Sequence, residues 1–547
     1  MFSKKIVLKT TMVFSLLVFS TGTLFCTPFI VAGPRALGLG GAYTAIAQTS
    51  LGAYWNPGAL DLQEGFDLKF NFGAGAEITG NLLENANNIV KFSDQFSQLQ
   101  SSQKNGSGLD IKQIGAISSA IKNLKGVGAA GNGTIINIAG GLGVRVGKYV
   151  LTVNNYSLIG IRPYTEIYGF YLGSGTFNVP TGSRLRSGIL SHGDSSQNFE
   201  GINISTEFIN SPDAQYTDET AQIKTQLDWL LLDLKKAGVE VPATLPDGTP
   251  FTTDMIANVL VNTAVNNGST EQDLKDSIAI IEESKPILEL VLGSADPRNS
   301  FSNNKSNLTI RGLSVTEIGL SAAWPLYFKD LYLGGTLKMM MGQTGFYRKL
   351  LFENTGGDNK VGLDDSVSDM SKNTKNSSQF GFDLGFFYDK KQDWRSSFGL
   401  TLKNINSPKF AMPEAALSYG EDTITLDPQI RAGAAFYPLN WILLSSDIDI
   451  TNNTTLIPDY NSRYWSLGVE INLVNESYFN LPLRFGMMKN LASTKDTSAY
   501  TAGIGLNLGR FVIDLSGAMS TTMTKIDTDS SGIPSNVSGQ LGLGLEF

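Results

Sequence analysis

Residues that could perform acid–base, nucleophilic or metal chemistry are scarce in this sequence of 547 residues. It contains one histidine, His192, and one cysteine, Cys26, so it can form neither an internal disulfide nor a zinc site of the usual cysteine and histidine ligands. A serine–histidine–aspartate site would have to use His192, which stands in the polar stretch Ser191–Asp194. That stretch is typical of a loop, whereas catalytic bases occupy shaped clefts. The sequence therefore predicts a protein that is not an enzyme and that uses no cofactor or metal.

The composition argues against nucleic acid as a partner. The formal net charge is −8, and binding to nucleic acid requires a basic face. Charged residues make up only 17% of the chain, and glycine is abundant at 58 residues. The mean hydropathy of −0.03 is too low for a helical membrane protein. A β-barrel produces such an average because its strands alternate apolar and polar residues.

The first 32 residues predict a secretory signal peptide that is removed by cleavage. Three lysines precede an apolar run over residues 12–19, which is shorter than the roughly 20 residues needed to span a bilayer. Small residues follow this run. Cleavage after Cys26 and cleavage after Ala32 both fit. In either case the segment would direct export of the protein.

Alternating apolar and polar residues predict strands along most of the remaining chain. In Val537–Phe547 three leucines and the final phenylalanine alternate with Gln540, Glu546 and glycines. Phe66–Ala76 and Tyr500–Leu508 alternate in the same way. A period of two indicates a strand, and ten or eleven residues is the length of a tilted membrane strand. Soluble sheets alternate as well, so alternation alone does not exclude a soluble β-sandwich.

The lengths of the connections separate the two possibilities. Connections after even-numbered strands are short, as at Gly147-Lys148 and Gly509, whereas most connections after odd-numbered strands are long. This is the outer-membrane pattern, and an even number of strands is also typical of it. An open sheet edge cannot persist in lipid, so the last strand must pair with the first. The fourteen strands are predicted near 66–76, 135–146, 149–160, 306–323, 331–341, 379–389, 395–405, 428–437, 441–451, 463–473, 481–489, 498–508, 510–520 and 537–547.

Aromatic residues near strand ends support a membrane barrel. Amphipathic rings collect at the two interfaces of such barrels. The final Phe547, on an alternating strand, resembles the signal that the outer-membrane assembly machinery recognises, and that machinery is one predicted partner. The girdle candidates are Trp324, Tyr437, Trp441, Tyr464 and Trp465.

Two regions depart from the strand pattern. Residues 82–126 and 218–292 carry apolar residues at helical spacing, and both fall after odd-numbered strands, on the outer face. They could be helical caps packed on each other, or a surface that binds a partner or gathers a ligand.

A segment of small residues precedes the first strand. Gly33–Ala47 is rich in glycine and contains the pair Ala42-Tyr43, and Asn56-Pro57 follows before the first strand. No Gly-Lys-Ser/Thr ending and no preceding strand accompany these glycines, so the segment is not predicted to bind nucleotide. Small residues let the backbone pack closely, which predicts a plug over residues 33–62 inside the barrel.

These motifs resemble the N-terminal stretch of the FadL superfamily of outer-membrane barrels. That group includes FadL long-chain fatty-acid transporters, PorV secretion components and TraF-like proteins. Gly58 replaces the alanine that usually follows Asn-Pro in the family. Arg431–Gly433, Asp447–Asp449 and Leu483–Gly486 look closest to the TraF-like branch. The region 161–305 has no counterpart in this resemblance.

The resemblance implies a fourteen-stranded, plugged barrel with a hydrophobic pocket, which passes acyl compounds inward through a sideways opening in its wall. Arg35 could pair bidentately with a ligand carboxylate. Pro57 fixes φ and Asn56 can cap its own backbone, although both could simply start the first strand. The predicted ligand or plug residues are Arg35, Tyr43, Trp55, Asn56 and Pro57.

Three functional hypotheses follow. The first is transport of small hydrophobic or amphipathic molecules, such as long-chain fatty acids, across the lipid of the bacterial outer membrane, and it predicts an aromatic-lined apolar pocket under the plug. The second is a non-catalytic component of a secretion or conjugation apparatus, with an exposed apolar docking surface on residues 82–126 and 218–292. The third, an enzyme, would need a role for His192 or for a pair of carboxylates.

Overall fold

Fourteen antiparallel strands form a closed barrel within the described part of the chain, and neighbouring strands follow the order of the sequence. The predicted fold class and all fourteen strands are confirmed. The computed structural model describes residues 28–62, 65–80, 111–167, 217–236, 268–293, 305–350, 363–476, 478–493, 497–524 and 532–547, with a few more between 175 and 264. The barrel strands are β1 (Phe66–Thr79), β2 (Gly133–Val146), β3 (Tyr149–Tyr164), β4 (Asn307–Pro325), β5 (Leu331–Leu350), β6 (Thr374–Lys390), β7 (Ser396–Lys403), β8 (Gln429–Leu439), β9 (Ile442–Asp449), β10 (Tyr464–Asn475), β11 (Phe479–Asn490), β12 (Ala499–Leu508), β13 (Phe511–Ser520) and β14 (Asn536–Glu546).

The last strand closes the barrel on the first. β1 pairs with β14 from Asp67 opposite Glu546 to Glu77 opposite Asn536. Beyond this register, the Phe547 N–H donates to the Phe66 carbonyl at 2.9 Å. Closure satisfies backbone groups that an open edge would leave unpaired in lipid.

The helices lie at the ends of the barrel, in its lumen and in its connections. A 3₁₀ helix spans Pro57–Leu62. Among the described residues, no helix is both long enough and apolar enough to cross a membrane. The α-helices are α1 (Pro34–Gly38), α2 (Gly52–Trp55), α3 (Ile111–Val127), α4 (Thr217–Lys236), α5 (Glu271–Gly293), α6 (Leu363–Lys372), α7 (Lys391–Trp394) and α8 (Glu414–Leu417).

The outside of the wall is apolar and the lumen side is mixed. On β1, the exposed Phe70 and Phe72 alternate with the buried Lys69 and Asn71. The same alternation on the other strands produces a band of exposed apolar side chains, which is the lipid-facing surface of a membrane barrel. The band includes Leu142, Leu151, Leu320, Leu337, Phe382, Leu444, Phe485, Ile504, Leu515 and Leu543.

Part of the predicted aromatic girdle is wrong. Trp324 and Trp441 are exposed at the end of the barrel that carries the short turns, as predicted. Tyr464 instead directs its hydroxyl at Glu77, and Tyr437 packs against aromatic residues in the lumen. The period of two explains the error, because both tyrosines lie at lumen-facing positions of their strands.

The helices α3, α4 and α5 lie in connections at the opposite end, which we call the outer end. α5 packs against both α3 and α4, and Lys122 of α3 donates to Glu283 of α5. The predicted helical spacing is therefore found over 111–126, 217–236 and 271–292. Residues 82–110 of the first predicted insertion lie outside the described residues.

Two outer connections fold back into the barrel. The outer hairpin, residues 404–428, joins β7 to β8 and contains α8 and two short paired strands, Lys409–Ala411 and Thr423–Thr425. The second outer loop, residues 450–463, joins β9 to β10, and its Leu456 and Ile457 are buried.

Candidate functional site

The plug, residues 28–62, lies within the lumen and bridges two sides of the wall. Gly33, Gly40 and Gly41 have φ values of 97°, 66° and 86°, which residues with a Cβ rarely adopt, and they turn the chain before and after α1. α1 contacts strands β11–β14, whereas the 3₁₀ helix contacts β4–β7. The segment predicted to form a plug therefore lies inside the barrel.

Glycines in the wall allow the plug to sit against it. A Cβ added at Gly468 would lie 2.7 Å from Leu39 Cβ, and one at Gly503 would lie 3.3 Å from Gly38 Cα. Nine of the fourteen strands each contribute such a glycine. The small residues of the plug are evident in the sequence, but their counterparts in the wall are not, although each wall glycine stands at a lumen-facing position. These wall glycines are Gly143, Gly334, Gly385, Gly399, Gly433, Gly468, Gly486, Gly503 and Gly542.

Wall side chains also bind the plug backbone. The N–H groups of Tyr43 and Thr44 both donate to Asp447 Oδ2, at 3.0 and 2.9 Å. The Gly40 N–H donates to Thr501 Oγ1 at 3.0 Å, and Ser397 Oγ donates to the Ala45 carbonyl at 2.7 Å. These contacts come from three separate strands, so the plug is fixed from several directions.

Asn56 and Pro57 hold the second half of the plug. The Asn56 side-chain amide donates to the carbonyls of Thr44 and Phe386, at 3.1 and 3.0 Å. Its Oδ1 accepts the Gly58 N–H at 3.0 Å, which is the local backbone cap expected from the sequence. Pro57 begins the 3₁₀ helix, and Gly334 leaves room for its carbonyl. Asn56 thus joins two parts of the plug to β6.

Tyr43 and Trp55 belong to an aromatic cluster in the middle of the plug. Their ring centroids lie 5.8 Å apart, and Phe29 lies 5.2 Å from Trp55. Trp55 is fully buried, and its Nε1 donates to the Ala32 carbonyl at 2.8 Å. The Arg431 guanidinium stacks 3.9 Å from the Phe29 ring centre. Residues 29–32, at the end of the predicted signal segment, are therefore packed inside the barrel.

Arg35 already has a carboxylate partner. Its Nε and Nη2 donate to the two oxygens of Glu470, each at 2.8 Å. Arg484 also donates to Glu470, at 2.7 Å, and to Asp514. Burial would lower the pKa of the Arg35 guanidinium, but the attraction of Glu470 raises it well above its usual range. Nothing in the sequence singled out Glu470, which is 435 residues from Arg35.

A cavity of about 220 Å³ lies beside this network, on the side of the plug that faces the short turns. Arg35, Tyr43 and Trp55 line it together with Lys69 and Glu546. This cavity differs from the apolar pocket predicted under the plug, because charged side chains line it together with aromatic and apolar ones. The charged side chains are Arg35, Lys69, Glu470, Arg484, Asp514 and Glu546. The physical reason is that this part of the wall supplies the side chains that hold the plug.

The apolar part of the lumen lies on the other side of the plug. We call it the apolar chamber, and strands β2–β5 form its wall. The interior of a large barrel is usually polar, so an apolar wall here is unusual. The outer hairpin, the second outer loop and Ile30 of the plug fill it. The wall residues are Ala139, Tyr156, Leu158, Leu313, Val315, Met340 and Phe346, and the hairpin contributes Phe410, Met412, Ala416, Ile424 and Leu426.

The described residues contain no group of three or more histidine, cysteine or acidic side chains that could hold a metal ion. His192 and Cys26 lie outside the described residues. Asp447, Asp449 and Asp514 face the lumen, and each contacts a plug residue or an arginine of the wall. These carboxylates therefore have structural partners.

A family model matches the middle of the chain. Residues 188–449 match the model of the family described as the TraF protein of the F plasmid transfer operon. The match lies within the TraF-like branch suggested by the sequence. It begins inside the region 161–305, for which the sequence resemblance offered no counterpart, so that part of the interpretation is corrected.

The fourteen strands closed around an internal N-terminal segment agree with the fold that the resemblance implied. The family model supports the TraF-like part of that resemblance over residues 188–449, in the middle of the chain rather than at the plug motifs.

Solved structures similar to this barrel are distant in sequence. The toluene transporter TbuX of Ralstonia pickettii is 11% identical, with a TM-score of 0.40 over 94% of this chain and 98% of that one. CymD, a monoaromatic hydrocarbon channel, is 11% identical, with a TM-score of 0.40 over 95% and 99%. A FadL homologue from Pseudomonas aeruginosa is 7% identical, with a TM-score of 0.35 over 96% and 99%. No curated protein sequence matches the chain.

Proposed function

We propose that this barrel, exported through a cleaved signal peptide, carries small hydrophobic or amphipathic molecules such as long-chain fatty acids across the outer membrane. The observation that carries the proposal is the apolar chamber. Leu158, Leu313, Val315 and Met340 face the lumen on three adjacent strands, where a channel for polar solutes would present polar groups. Such a wall favours ligands that gain free energy by leaving water.

The test is native mass spectrometry of the protein after cells are incubated with palmitate. We expect palmitate bound at one molecule per barrel. Replacing Leu313 with asparagine should weaken binding about tenfold, because an amide without a partner faces the acyl chain. Leu313→Met is the matched control, since it keeps the site apolar and nearly equal in volume. Equal occupancy in both variants would place the ligand elsewhere and remove the support for the proposal.

A second candidate is a non-catalytic component of a secretion or conjugation apparatus. The match to the TraF family favours it, as do three helices at the outer end. On this proposal the barrel stays closed by its plug, and the helices α3, α4 and α5 bind a protein partner. The same mass spectrum separates the candidates, because an empty barrel carrying a protein of defined mass would support the second and argue against the first.

A further inference from the structure

We propose that the outer hairpin is an internal substitute for the ligand, which occupies the apolar chamber and must leave it before an apolar molecule can bind. This inference rests on the proposed transport function. It assigns the ligand site to the wall of β3–β5 and gives the hairpin the role of a gate toward the outside.

The outer hairpin buries its apolar side chains in the lumen. Phe410, Ile424 and Leu426 are fully buried, although they belong to a connection at the outer end of the barrel. Together with Met412 they approach a long fatty acyl chain in atom number and match it in apolar character. The chamber is therefore suited to such a chain, and the protein's own residues now fill it.

The outer hairpin also fits the shape of the wall at β5. The Phe410 ring lies against Gly342 of β5, where an added Cβ would overlap it. Thr344 Oγ1 donates to the Ala411 carbonyl at 2.6 Å beside this contact. The hairpin is thus seated in the chamber and does not simply cover its mouth.

The hairpin would leave beside the point in the barrel wall where the pairing of β6 with β7 ends. β7 ends at Lys403, whereas β6 begins further out at Thr374, so β6 pairs with β7 only from Leu384 inward. Beyond Leu384, the base of the hairpin covers the edge of β6 that β7 leaves unpaired. The Ile405 N–H donates to the Phe382 carbonyl at 3.0 Å, and the Asn406 side chain bonds the backbone of Phe380 and Phe382.

One charged pair and one stacked pair hold the hairpin to the wall at its tip. Arg311 of β4 donates to both oxygens of Glu421, with Nε at 2.6 Å from Oε2. The Arg348 guanidinium stacks 4.1 Å from the Tyr419 ring centre. We call the Arg311–Glu421 pair the latch, because bidentate pairs are among the stronger polar contacts and both partners are largely buried.

The first test measures opening on whole cells with the full-length protein. Ala416→Cys places a thiol on the buried face of α8, and a membrane-impermeant maleimide reports its exposure through peptide mass spectrometry. Adding Glu421→Gln should raise the labelling rate about tenfold, because the latch loses its charge. Glu414→Gln, on an exposed carboxylate of the same helix, is the matched control and should not change the rate. An unchanged rate in the latch variant would overturn the gate.

The second test asks whether ligand and hairpin compete. Phe410→Ala should increase palmitate occupancy, because it removes part of the internal competitor, whereas a residue that merely lines a ligand site would lower occupancy when truncated. Palmitate should also accelerate labelling of Ala416→Cys. If Phe410→Ala fails to assemble, the effect of palmitate on labelling decides alone.

The outcomes separate the two proposals. Palmitate that binds without changing the labelling rate would overturn the gate and leave the transport proposal standing. A hairpin that opens in the latch variant while no barrel binds palmitate would overturn both the transport proposal and the competition that rests on it. Binding with faster labelling supports both.

Discussion

Among the segments that fill the lumen, the plug and the outer hairpin are held by different forces. The plug lies against wall glycines, and side chains from several strands bind its backbone, as Asp447 does for Tyr43 and Thr44. The outer hairpin instead buries apolar side chains in an apolar wall, with the latch as its main charged contact. Backbone hydrogen bonds and close contacts have strict geometry, whereas apolar contacts can be exchanged for a ligand of similar character. The plug is therefore held in one geometry, whereas the proposed gate would exchange the apolar contacts of the hairpin for those of a ligand.

The largest expected effect comes from the close fit of plug and wall. Gly334→Val would place a branched side chain on the Pro57 carbonyl and should destabilise the barrel by about 3 kcal/mol or more. Gly335→Val is the matched control, because an added Cβ there meets only ordinary contacts at 3.7 Å. The measurement is the folded fraction in heat-modifiability gels. Equal folding of the two variants would show that the plug is not held by this fit.

Loss of a backbone anchor should have the next largest effect. Asp447→Ala removes the acceptor for two plug N–H groups and should cost about 2 kcal/mol, because buried donors are left without partners. Hydrogen exchange at Tyr43 and Thr44 should become faster, while exchange in the outer hairpin stays as it was. Ser446→Ala, at the next position of the same strand, is the control. Faster exchange in both segments would mean that plug and hairpin loosen together. That result would contradict the view that different contacts hold them.

Arg35 gives a smaller and sharper test. Because Glu470 occupies its guanidinium, we expect Arg35→Ala to destabilise the plug by about 1–2 kcal/mol and to leave palmitate occupancy unchanged. Thermal unfolding and native mass spectrometry measure the two effects separately. A marked fall in occupancy with unchanged stability would instead support the ligand-binding role that the sequence suggested for Arg35.

The mildest prediction concerns processing of the N-terminus. Phe29 packs on Trp55 and Arg431, and the carbonyls of Ile30, Val31 and Ala32 all accept hydrogen bonds from the plug or the wall. We therefore expect cleavage after Cys26, so that these residues remain in the plug. The intact mass of the mature chain measures this directly. A chain that begins at Gly33 would show that the plug forms without these contacts.

The barrel wall follows from local patterns in the sequence. Alternation in a strand such as Val537–Phe547 is local, and lipid on one face enforces it at every exposed position. The number of strands, their order, the short turns and the closing pair could therefore all be predicted. Only details of the wall were missed, such as the inward positions of Tyr437 and Tyr464.

The contents of the lumen depend on contacts that form only in the folded chain. Arg35 and Glu470 are 435 residues apart, and the wall glycines look the same in sequence as the lipid-facing Gly335. The outer hairpin is a connection of mixed composition whose direction depends on the shape of the chamber it enters. Lumen contacts join residues far apart in the chain, and no periodicity connects the partners, so the polar cavity and the filled apolar chamber became visible only once the barrel had closed around them.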